Sequence, residues 1–164
     1  MSEPLQVAAG ERALLRHTLS TVAYRGGKAL RNIPESFPTF LACEGARTPV
    51  QLLAHIGDLY DWAFSIVSGK QVWRDSHPLQ WEKEVERFFA TLKKLDDYLV
   101  SNTPLYETPQ KLFQGPIADS LTHIGQIAIL RRLANCPVKA ENYHKAEIVV
   151  GRVGAEQTAP RREF

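Results

Sequence analysis

Thr48-Pro49-Val50-Gln51-Leu52-Leu53-Ala54-His55-Ile56-Gly57-Asp58 is the stretch whose reading decides the fold. Threonine, proline and glutamine stand at the N-cap, first and third positions of a helix, the signature of a capping box with proline at the first turn. Helical spacing then continues through Leu52, Ile56, Leu59, Ala63 and Ile66, and Gly69 is a natural stop, so a helix is expected from Pro49 to about Ser68. His55 shares a face with Leu52, Leu59, Trp62 and Ile66 and therefore looks inward. Asp58 and Asp61 are expected at the edge of that face or in solvent.

Three further helices flank this one. Leu15, Leu19, Val22, Ala29 and Ile33 mark the first, from about Glu11 to Asn32, with Gly26-Gly27 a kink or a close helix contact, and Pro34 and Pro38 beyond its end. Trp81, Val85, Phe88, Leu92, Leu95 and Leu99 mark the third, from near Pro78 to Ser101; Glu82, Glu84, Glu86, Lys93 and Lys94 read as its solvated side. The fourth opens at Gly115-Pro116 and runs to about Ala134, with Asp119, His123, Ile127 and Leu130 on one stripe and Arg131 and Arg132 suiting its C-terminal dipole. Between the third and fourth the chain is irregular, with a short extended piece expected at Lys111–Phe113. The tail from Lys139 to Phe164 is polar apart from Ile148-Val149-Val150, and its last residues read as flexible.

The bulk composition fits one domain. The chain has 164 residues, 44% hydrophobic and 23% charged, with a net charge of +2. That charge is too small and too scattered to be a nucleic-acid footprint. The N-terminus lacks a basic region followed by an apolar stretch, and no apolar run has transmembrane length, so no signal peptide, no membrane span and a cytoplasmic location are expected. Cys43 and Cys136 have no metal-ligand spacing and read as free thiols in a reducing compartment.

His55, Asp119 and His123 carry the chemistry. Buried polar side chains need partners, and one divalent ion satisfies all three. Asp119 and His123, four residues apart, project from one helix face, and a third ligand from another helix leaves coordination positions open. Two histidines and one carboxylate suit zinc or non-haem iron, with manganese and nickel also compatible. The plainer reading is a hydrogen-bonded core histidine at His55, with Asp119 serving its own first helical turn. His17 reads as a surface or boundary residue, His77 as a cap, and His144 as a solvated tail residue that could reach back to the site. Trp62, Trp73 and Trp81 read as core and loop anchors.

The His55 segment resembles the second-helix signature of the DinB/YfiT-like superfamily. Asp119-Ser120-Leu121-Thr122-His123-Ile124-Gly125-Gln126-Ile127, followed by Leu130-Arg131-Arg132-Leu133 and Cys136-Pro137-Val138, resembles its fourth-helix signature. The resemblance covers most of residues 11 to 138. It implies an all-α four-helix bundle with one long crossover connection, an irregular tail and a homodimeric assembly. It also implies one divalent ion, zinc or nickel first, at one end of the bundle core. The family's ligand histidines fall on His55 and His123, and the first histidine of its H-x-x-x-H motif falls on Asp119, a departure with a carboxylate counterpart in related thiol-dependent isomerases. The activities implied are transfer or isomerisation with a low-molecular-weight thiol, or metal-dependent hydrolysis of a small-molecule substrate with Asp58 as a candidate base. The alternatives are a non-catalytic bundle tied together by an ion or a hydrogen-bond network, and a dimeric module acting through a protein partner.

Overall fold

In the computed structural model, which describes residues 3–164, the capping box forms as the sequence predicts. The Gln51 amide N–H donates to Thr48 Oγ1, and the Thr48 N–H donates to Gln51 Oε1. The helix it opens is α2 (Pro49–Val67), between α1 (Ala9–Leu30) and α3 (Trp81–Val100). A single turn, α4 (Pro109–Leu112), and a wide turn at Phe113–Ile117 lead into α5 (Ala118–Leu133). The protein is an all-α bundle of four long helices, and the described residues contain no strand, only two isolated bridges. No helix among them is long and apolar enough to cross a membrane.

The packing follows from where the apolar stripes fall. α1 and α2 each lie beside α3 and α5, while α1 and α2 face each other across the bundle. The 31–48 connection therefore crosses the bundle, and so does the 101–117 connection between α3 and α5, where a single long crossover was expected. Leu19, Val22, Ile56, Tyr60, Phe88 and Ile127 meet at the centre with no solvent exposure. Gly26 is the close helix contact: a Cβ there would stand 2.6 Å from Phe88 Cζ, so only glycine lets α1 approach α3 this closely. Buried Tyr60 and Ser120 share a 2.6 Å hydrogen bond that joins α2 to α5.

Four local expectations are corrected. The extended piece at Lys111–Phe113 is helical, because Thr108 caps that turn by accepting from the Lys111 N–H. The fourth long helix opens at Ala118 rather than at Gly115-Pro116, since Gly115 (φ −91°, ψ −105°) is not helical and Pro116 follows it. The third opens at Trp81 rather than Pro78, because the Leu79 N–H is drawn to Glu84 Oε1. Glu84 and Asp58, read as solvated or at a face edge, are 0% and 2% exposed and belong to an ion cluster described below.

Residues 139–164, expected to be partly flexible, fold back along α1. Glu141 Oε1 accepts from Tyr24 Oη, and its Oε2 accepts from Lys28 Nζ, which also pairs with Glu163. Burial alone would lower the Lys28 pKa; the two carboxylates more than reverse this and hold it above its usual value. The Gly151 N–H donates to Ser20 Oγ, and Val153 is buried.

Candidate metal centre

Two helices build the site. α2 brings His55 about two turns after its Thr48 cap, and α5 brings Asp119 from its first turn and His123 from its second. The Tyr60–Ser120 bond sits beside Asp119 and fixes the two helices against each other. One ligand atom from each of the three residues lies within 4.8 Å of the others. His55 Nε2 is 3.8 Å from Asp119 Oδ2, and His123 Nε2 is 3.4 Å from Asp119 Oδ1. The imidazole rings stand nearly perpendicular, with centroids 4.8 Å apart.

These residues fit a divalent ion. His55 Nδ1 is buried without a hydrogen-bond partner, and its Nε2 is too far from Asp119 to make one. The Nε2 lone pair, which faces Asp119, is thus free for an ion, and Nδ1 then carries the proton of the neutral ring. Ligand atoms of a tetrahedral centre with bonds of about 2.0–2.1 Å stand roughly 3.3 Å apart, so the Asp119–His123 edge already has the right length, and side-chain adjustment of His55 closes the rest. The other nitrogen of His123, Nδ1, is 2.8 Å from Gln126 Oε1. Donation from Nδ1–H to Gln126 leaves the Nε2 lone pair facing Asp119, the arrangement in which an outer hydrogen bond orients a ligating histidine.

Exposure and charge tune the set. The side chains of His55 and His123 are 17% and 13% exposed, but that of Asp119 is 47% exposed, so the carboxylate sits at the rim and not in the core. Burial, and then the nearby positive charge of Arg47, lower the pKa of His55 from its usual value, with His123 adding to the effect; Asp119 and Asp58 oppose it. His55 is therefore neutral near pH 7, the form that can bind a metal.

The surroundings contain what the sequence alone did not reveal. Trp73, on the exposed 70–80 strap, stacks edge-on against His55 and against Trp62, each at 5.7 Å between centroids. Trp62 and Trp73 thus wall the site, while Trp81 packs on Phe37 in the core. Arg47 lines the clefts on both sides of the ligand set. Gln126, three residues after His123 on the same helix, was the one partner that spacing could have revealed. His17, His77 and His144 are all exposed and contribute no ligand to this group.

Asp58, the candidate base, is committed elsewhere. Its Oδ1 is 2.5 Å from Arg87 Nη2 and its Oδ2 accepts from the Ser76 N–H at 3.0 Å. Burial would raise its pKa, but the Arg87 and Ser76 hydrogen bonds outweigh it and hold the carboxyl below the usual aspartate value. Arg87 also reaches Asp61 at 3.0 Å and Glu84 at 3.6 Å.

No protein-family model, no curated protein and no solved structure matches this chain.

Proposed function

We propose that this chain is a DinB-like protein that binds one divalent metal ion, zinc or nickel before manganese or iron, and uses it in group transfer involving a low-molecular-weight thiol. The observation that carries the reading is the convergence of His55, Asp119 and His123 from two helices, with one ligand atom of each within 4.8 Å of the others. A divalent ion bound there supplies Lewis acidity, which favours the deprotonated form of a thiol or water at neutral pH.

The chain's own residues divide the work around that chemistry. Gln126 holds His123 in one tautomer. Asp119 contributes the single negative charge of the set, and Trp62 and Trp73 shield the His55 side from water. Thiol transfer is preferred to hydrolysis because hydrolysis calls for a free general base. Asp58 is locked to Arg87 and kept in its charged, weakly basic form, and Asp75, which lines the same cleft, is exposed.

Elemental analysis tests the reading. Protein purified without a chelator or a nickel column is expected to carry about one ion per chain. The His55→Ala and His123→Ala variants are expected to lose it, with the helical circular dichroism signal retained. Equal metal content in wild type and His123→Ala would end the proposal. No ion in any form, even after incubation with zinc, nickel, manganese or iron, would make the three residues a structural network.

A further inference from the structure

The two clefts that flank the ligand set share one cation. Arg47 lines the apolar cleft with Ala46, Leu52, His123 and Leu130, and the polar one with Gln51 and His55. It is the residue just before the Thr48 cap and is exposed. Of the carboxylates around the site, Asp58 and Asp61 hold Arg87 and Asp119 faces the two histidines, while exposed Asp75 shares the polar cleft without pairing with Arg47, so the apolar cleft is the one free of a competing carboxylate. Among the described residues no carboxylate lies within ion-pair distance of Arg47. Two neutral imidazoles, one carboxylate and a divalent ion sum to a single positive charge. An unpaired guanidinium beside such a centre is stabilised when an anion enters between them.

We infer that Arg47 is a substrate-binding residue that anchors a carboxylate. The substrate class is then a small organic acid: its carboxylate meets the planar fork of Arg47, its reacting group meets the ligand set, and its apolar carbon body lies against Ala46, Leu52 and Leu130. Arginine suits this task because its paired N–H groups match both carboxylate oxygens at once. The inference rests on the metal-centre reading above.

The test uses the zinc-loaded full chain, with ion content fixed beforehand by elemental analysis, and calorimetric titration with 3-mercaptopropionate and its neutral amide, 3-mercaptopropanamide. The wild type is expected to bind the acid roughly tenfold more tightly than the amide, the scale of one charge-assisted bidentate contact. Arg47→Gln is expected to equalise the two probes while leaving zinc stoichiometry and amide affinity unchanged. Arg47→Lys is expected to keep part of the preference, as a point charge without the fork. Equal affinities in the zinc-loaded wild type, no binding of the acid, or a preference that survives Arg47→Gln would each overturn the inference and leave the metal centre standing. Failure to take up zinc overturns both.

Discussion

Asp58 is buried against an arginine that comes from another helix, and its stability contribution can be read from its charge. Arg87 and the Ser76 N–H hold its pKa below the ordinary aspartate value of 3.8. Its contribution is therefore complete above pH 3.8 and is lost as pH falls through the lower folded-state value. Asp58→Asn is expected to cost about 3 kcal/mol at pH 7, the lower end of the range for breaking a buried pair, because Arg87 keeps Asp61. Urea denaturation at pH 7 and at pH 3 measures this: the variant is expected to lose less stability than the wild type across that interval. At this scale the three residues that converge were legible and the ion cluster was not. Helical period puts His55, Asp119 and His123 on inward faces, and the family resemblance groups them as one set. Burial of Asp58 and Glu84 depends on Arg87, 29 and 3 residues away in sequence, and a local pattern only reports that acids prefer water.

Helix ends divide in the same way. The α2 start is legible because every partner in its capping box lies within four residues. The α1 end is not, because its cap comes from α5. Arg131 donates to the carbonyls of Ala29, Arg31 and Asn32 as well as to that of Cys136. Sequence reading assigned its charge to the dipole of its own helix, whereas the side chain satisfies the carbonyls left over at the end of another. Arg12 does the same for α3, donating to the carbonyls of Leu99 and Thr103. Arg131→Met is expected to cost about 3 kcal/mol, since buried carbonyls lose their donors. Arg132→Met, on the exposed face, is expected to stay within about 0.5 kcal/mol. Thermal denaturation of the two variants side by side checks the contrast, and hydrogen exchange localises it to the α1 end.

For the whole molecule, an ion held by His55, Asp119 and His123, as proposed, would clamp α2 to α5, which Tyr60 and Ser120 already join in the core. Ion binding at a free concentration a hundredfold above its dissociation constant adds about 2.7 kcal/mol. In a chain of this size that corresponds to a rise in Tm of roughly 5–10 °C. Calorimetric scans with and without a chelator are expected to show that difference in the wild type and none in His55→Ala. The number of long helices was legible at this scale, as the product of four apolar stripes and their breakers. Which helices stand side by side was not, because stripes carry no record of their partners. Nor was the course of the tail, whose anchor on α1 is a lysine far upstream. That anchor also sets an order in time. Lys28 leaves the ribosome well before Glu141, which lies 113 residues further along. At about 5–20 residues per second, the lag is on the order of 10 s. During synthesis the first helix thus carries an ammonium that its neighbours cannot yet neutralise, and its burial waits until residues 141 and 163 have been made.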